Sequence, residues 1–103
     1  MSSQPPSSGK TVVFAKAVAK PGKGDELQGY LQAAVQSANS DKEPYTLTYR
    51  CARHGDEFRL FEEYDQDIGG IEEHKAQEPF QNLIKSGLVA DVSIEFFQEI
   101  PKL

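Results

Sequence analysis

Tryptophan is absent from this 103-residue sequence, and cysteine and methionine occur once each. A single cysteine, Cys51, excludes an internal disulfide and any zinc site built on several thiolates. Basic residues are in the minority: 11 Lys and Arg stand against 16 Asp and Glu, for a net charge of −5. Phosphate backbones and anionic lipid surfaces are held by Lys and Arg, so neither nucleic acid nor membrane is expected as a partner. No apolar run approaches the ~20 residues of a membrane span. The opening MSSQPPSSGK lacks the apolar stretch of a secretory signal, so the expected location is cytoplasmic. The two histidines, His54 and His74, have no His-x-x-x-His or Cys-x-x-Cys partner spacing, and no metal site is expected. The turn Pro21-Gly22-Lys23-Gly24 lacks the length and the Lys-Ser/Thr of a phosphate loop.

What remains has the composition of one soluble globular domain, 38% hydrophobic and 26% charged. Residues 1–10, rich in Ser and Pro, have little to bury and are expected to be a disordered tail. The domain then covers 11–103. TVVFAKAVA (11–19) reads as a first strand. It carries Val12, Phe14 and Val18 on one face and Val13, Ala15 and Ala17 on the other, so both faces should be covered. DELQGYLQAAVQSAN repeats Leu27, Tyr30, Leu31, Ala34 and Ala38 at helical spacing, with Asp25 and Glu26 in the first turn. YTLTYRCAR (45–53) alternates in period two, His54-Gly55-Asp56 signals a hairpin, and EFRLFEEY (57–64) is its return strand. A second helix is expected from Ile68 to Ser86, with Ile71, His74, Phe80, Leu83 and Ile84 on one side. Pro79 must kink it or start a new turn. DVSIEFFQEI supplies the last strand, with Val92, Ile94 and Phe96 facing one way.

That order, βαββαβ, is the α+β ferredoxin-like pattern with an antiparallel sheet. Two helices cover only one face of four strands. A second copy of the chain is the expected cover for the other, giving a homodimer. The RNA-recognition module shares this order, but its third strand is basic and aromatic, whereas EFRLFEEY carries three acids.

Few residues stand out chemically. Cys51 lies mid-strand among apolar neighbours and reads as a small core hydrophobe. His54 reads as an exposed turn residue. Glu62 shares its strand face with Leu60 and Tyr64. It is either buried, needing a partner or a raised pKa, or close enough to the strand end to reach water. His74 lies among Glu72, Glu73 and Lys75. It is either a solvated helix residue or a pocket residue beside Ile71 and Phe80.

Three stretches, VVFAKAVAKPGKGDELQGYL, RLFEEYD and EEHKAQEPF, resemble the antibiotic biosynthesis monooxygenase domain, a dimeric α/β barrel family. The resemblance spans nearly everything after residue 10. It rests on the strand ending in Pro-Gly-Lys, on Glu62 and Tyr64 as the acid-x-aromatic strand ending, and on His74 followed six residues later by Phe80. The family usually has Trp where Tyr64 stands, and often a second His where Pro79 stands. The haem-degrading branch, with an Asn in its first strand and a Trp in its third, is not matched. The resemblance implies a pocket between sheet and helices. There, an electron-rich phenol, anthrone or hydroquinone is oxidised by molecular oxygen without metal, flavin or other cofactor. It implies His74 as the base, Tyr64 as a donor to the developing oxyanion, and Glu62 as a residue that orients or tunes either one. Tyr30, Tyr49, Phe58, Phe80 and Phe96 would form the apolar walls that bind substrate. Isomerases, cyclases and non-catalytic binding modules use the same scaffold.

Overall fold

A computed structural model of the chain describes residues 4–6 and 8–100. Its elements are β1 (Lys10–Ala19), α1 (Gly24–Ala38), β2 (Thr46–His54), β3 (Glu57–Asp65), a single 3-10 turn (Gln66–Ile68), α2 (Gly70–Ala76), α3 (Glu78–Lys85) and β4 (Val89–Gln98). The four strands form one antiparallel sheet in the order β2-β3-β1-β4. This is the α+β ferredoxin-like arrangement expected from the sequence.

Alternation decides which face is buried. On β1, Thr11, Val13, Ala17 and Ala19 point to the helices and are buried. On β3 the same face carries Phe58, Leu60, Glu62 and Tyr64, all buried. Leu27, Leu31 and Ala38 of α1 and Ile71 of α2 close the core against them. Phe58 and Leu27 are almost wholly withdrawn from water, and each such side chain contributes about 2 kcal/mol of transfer free energy.

The opposite face of the sheet is open. Phe14 is 45% exposed and Phe97 48%, and Phe14 packs edge-on against both Phe61 and Phe97. The expectation that β1 is covered on both faces is therefore met on one face only within a single chain. β4 is an edge strand. Val92, Ile94 and Phe96 share the helix-facing side, as expected, opposite Ala17, Ala15 and Val13. The helices do not reach the strand's outer part, so Val92 and Ile94 stay about half exposed.

The expected single helix over 68–86 is instead a 3-10 turn and two short helices. The chain becomes extended at Gln77 (φ −74°, ψ 147°), and Pro79 sits in the first turn of α3. Pro79 has no N–H and its ring blocks the preceding turn, so the chain leaves the helix just before it. The break turns Ile84 outward, to 65% exposure, so it is not part of the buried side. The disordered tail expected over 1–10 includes residues 1–3 and 7, which lie outside the described residues. Within the rest, Lys10 belongs to β1. Gly9 N–H donates to Asp67 Oδ1, and the Pro6 and Ser8 carbonyls accept from Gln66 and Gln98 side chains.

The start of α2 lies tight against the backbone of its neighbours. Gly69 has φ 71°, the left-handed conformation that L side chains resist. At Gly70, a Cβ would lie 2.6 Å from the Tyr45 carbonyl oxygen and 3.0 Å from that of Asp65. Both obstacles are backbone. Gly70→Ala should therefore destabilise the protein by about 2 kcal/mol, read as a fall in Tm. A wild-type Tm would show that the helix can back away freely.

Candidate active site

Helix α2 is short, and its position is set at both ends. Its first turn is tied down by Ile71 N–H donating to Gln66 Oε1 at 2.8 Å. Ile71 and His74 are three residues apart and so share a face. Both are buried, His74 being only 4% exposed. His74 is thus a pocket-side residue and not a solvated one.

The carboxylate that meets His74 is Glu43, in the polar stretch Ser40-Asp41-Lys42-Glu43-Pro44 between α1 and β2. Glu43 is 1% exposed. Its Oε1 lies 2.6 Å from His74 Nδ1. Ser37 Oγ donates to Oε2 at 2.5 Å, and Thr46 Oγ1 donates to Oε1 at 3.2 Å. A carboxylate that already accepts from two hydroxyls is the natural acceptor for the Nδ1–H as well. The other ring nitrogen, Nε2, then carries the lone pair. Nε2 is buried and has no hydrogen-bond partner. Three rings enclose the imidazole: Tyr49 at 4.8 Å, Phe80 at 5.3 Å and Tyr64 at 5.8 Å between centroids. Burial among them pulls the His74 pKa below its ordinary 6.5, while the nearby Glu43 charge and hydrogen bond oppose it. The neutral base is the resting form near pH 7.

Glu62 is also buried, and its partner is Tyr64. The Tyr64 hydroxyl donates to Glu62 Oε1 in a short hydrogen bond. Burial pushes the Glu62 carboxyl up to about 7. The Tyr64 hydrogen bond acts against that shift and the Glu43 charge adds to it. Burial and then Glu62 raise Tyr64 far above the ordinary phenol range, and burial raises Tyr49 as well. Both phenols stay protonated. Two adjacent rows of the sheet carry this chemistry. Thr46 lies opposite Tyr64, and Tyr49 lies opposite Glu62.

The site therefore holds His74, Tyr64 and Glu62 in one buried layer, and of the two partners expected for Glu62 it meets Tyr64. Glu43 orients His74, and Glu62 bonds Tyr64. No sequence signal marked Glu43, because an acid in a polar loop reads as solvated. Of the expected wall residues, Tyr49 and Phe80 touch the imidazole. Phe96 packs against the core from β4. Phe58 lies in a cleft of about 400 Å3 between α1 and β2, beside Leu31 and Cys51. Tyr30 lines a separate cleft of about 540 Å3 with Glu26, Glu78 and Pro79. Neither cleft is lined by His74. Cys51 is half-buried with its pKa raised by burial, which makes it a poor nucleophile. Among the described residues, no three His, Cys, Asp or Glu side chains are grouped to hold a metal ion.

Glu62 makes stability depend on pH. Its folded pKa of about 7 lies above the ordinary 4.5, so the folded state binds the proton more tightly. The stabilisation is full below pH 4.5 and is lost as pH rises through 7. It amounts to about 3 kcal/mol. His74, with a lowered pKa, has the opposite slope. That slope is common to wild type and Glu62→Gln and drops out of their difference. Denaturant unfolding should show Glu62→Gln gaining on the wild type between pH 5 and pH 8. A constant difference would mean that Glu62 is not buried as an acid.

No family model and no curated protein matches the sequence. Solved structures do match. Rv0793 from Mycobacterium tuberculosis superposes with a TM-score of 0.78 at 20% identity, over 91% of this chain and 98% of that one. PA3566 from Pseudomonas aeruginosa gives 0.78 at 24% identity, over 93% and 99%. A structure named antibiotic biosynthesis monooxygenase gives 0.75 at 22% identity, over 88% and 99%. Identities this low speak to architecture, and in architecture the match runs nearly end to end: this chain has the fold of the antibiotic biosynthesis monooxygenases.

Proposed function

We propose that the protein is a cytoplasmic, homodimeric, cofactor-independent monooxygenase that oxidises an electron-rich aromatic or quinol-like metabolite with molecular oxygen. The observation that carries this reading is the unpartnered lone pair of His74 Nε2, backed at Nδ1 by Glu43. A neutral imidazole with one nitrogen donating to a carboxylate is a general base pointing the other way.

The chemistry follows from that base. Nε2 takes a proton from an activated C–H or O–H of the substrate, and Glu43 stabilises the imidazolium. The substrate anion passes one electron to oxygen, and the resulting radical and superoxide combine at carbon. His74 returns its proton to the peroxide, which loses water to leave a carbonyl. One oxygen atom stays in the product and the other leaves in water. All the electrons come from substrate and no external reductant enters. Near pH 7 Glu62 is part protonated. Its O–H can then donate to the Tyr64 oxygen, freeing the Tyr64 O–H for the substrate oxyanion. The enclosing rings keep water from the reactive anion. Phe80, half-buried beside the Gln77 break, is the least buried of the three enclosing rings.

A second copy covering Phe14, Phe61 and Phe97 completes the reading, since apolar clusters of this kind favour association. Light scattering should give twice the mass of one chain, and Phe14→Glu should give a monomer. A wild-type monomer at micromolar concentration would remove the dimer from the proposal.

An oxygen electrode tests the chemistry over a panel of hydroquinones and anthrones. His74→Ala should abolish oxygen uptake. Glu43→Gln should lower kcat by about 10²-fold or more with a smaller change in KM, because an amide no longer fixes the tautomer. Full turnover in His74→Ala would eliminate the mechanism. Ligand binding without oxygen uptake would favour a non-catalytic small-molecule module, and product formation without uptake an isomerase or cyclase.

A further inference from the structure

Besides His74 Nε2, one other buried side-chain polar atom among the described residues lacks a hydrogen-bond partner: Thr11 Oγ1. Thr11 is 0% exposed. A buried hydroxyl that bonds nothing keeps its full desolvation penalty. The fold does not need it there. The other helix-facing residues of β1 are Val13, Ala15, Ala17 and Ala19, and valine has the same shape as threonine.

Its place in the sheet is informative. Thr46, Tyr64 and Thr11 form one row across β2, β3 and β1 on the helix-facing side. Thr46 donates to Glu43, and Tyr64 donates to Glu62. Thr11 alone in this row is unbonded. Helix α2 lies over the row, with a Cβ at Gly70 reaching within 3.2 Å of Tyr64 Cβ. His74 follows one turn later on the same helix, with its ring 5.8 Å from that of Tyr64. Both unpartnered atoms thus belong to residues that neighbour the same tyrosine.

We infer that Thr11 is a specificity-determining residue of the His74 site, its hydroxyl bonding a second polar atom of a ligand whose first is held at His74 Nε2. This rests on His74 facing the ligand. A hydroxyl both donates and accepts, so a carbonyl or a hydroxyl oxygen satisfies it. A ligand with one oxygen leaves Thr11 unpaired; a ligand with two, correctly spaced, satisfies both atoms.

The test is binding without turnover. Anaerobic calorimetric titration compares 1-naphthol with the 1,2-, 1,3-, 1,4- and 1,5-dihydroxynaphthalenes. For the wild type, the best diol should bind about 10-fold tighter than 1-naphthol. Thr11→Val should erase that preference while leaving 1-naphthol affinity within about 2-fold, and Thr11→Ser should keep it. Without ligand, Thr11→Val should raise the Tm by about 4 °C, since it removes an unpaired buried group. The inference is overturned if Thr11→Val keeps the diol preference, weakens both probes alike or lowers the Tm. It is also overturned if the wild type shows no preference or binds no probe. If binding behaves as expected but no diol consumes oxygen, the monooxygenase reading fails and the role of Thr11 stands.

Discussion

Glu43 and His74 meet at 2.6 Å across 31 positions of sequence, and both are buried. Neither side chain is tolerable there without the other. An ionised carboxylate withdrawn from water must be met by donors, and a buried imidazole must place its N–H somewhere. Satisfying this one pair fixes much else. The end of α1 must present Ser37, and β2 must open with Thr46. The loop between them must fold back through Glu43 N–H to Ser40 and Thr46 N–H to Glu43. Helix α2 must start close enough to the sheet to bring His74 down, which is why its first residue is a glycine pressed on two carbonyls. Breaking the pair from one side leaves the other unpaired in the interior, a loss of several kcal/mol.

Burial acts on the neighbouring groups in opposite directions and brings their proton affinities together. Glu62 rises to about 7 and His74 falls below 6.5, each because the interior penalises its charged form. The usual separation of carboxyl and imidazole is thereby narrowed. A site with a neutral base at one position and a protonated acid at another is equipped for both removal and return of protons near neutral pH. Because of this separation of roles, the pairing of Glu62 with Tyr64, and not with His74, matters to the chemistry.

Much of the fold was legible because it rests on local periodicity. The alternation of Tyr49 and Cys51, and of Phe58, Leu60, Glu62 and Tyr64, marked strands and their buried sides. Pro79 marked a break in the second helical region. The break fell at Gln77 because proline constrains the residues before it as well as itself. Tyr45 misled: it lies just before β2 and is exposed, since the strand is irregular at Leu47, between Thr46 and Thr48. In the site, His74, Tyr64 and Glu62 could be nominated from types and spacing. Glu43 could not. Its role depends on a loop folding back over 31 residues of separation, and nothing in Ser-Asp-Lys-Glu-Pro distinguishes a buried acid from a solvated one. Tyr30 had the right helical phase but sits where α1 turns toward α3 and not toward the sheet.

The remaining asymmetry lies in what the interior leaves unsatisfied. Around Glu43 every available donor is used, and Glu62 has its tyrosine. A fold selected for stability alone would treat the last two polar atoms in the same way, or replace them with carbon. Thr11 could be valine at no cost in shape, and a polar partner could meet His74 Nε2. Keeping two unpartnered polar atoms beside Tyr64 lowers stability and adds nothing to packing. Such local violations of an otherwise consistent interior are where function is expected to reside. By that argument Thr11 and His74, more than the residues lining the surface clefts, are the side chains proposed to meet a ligand.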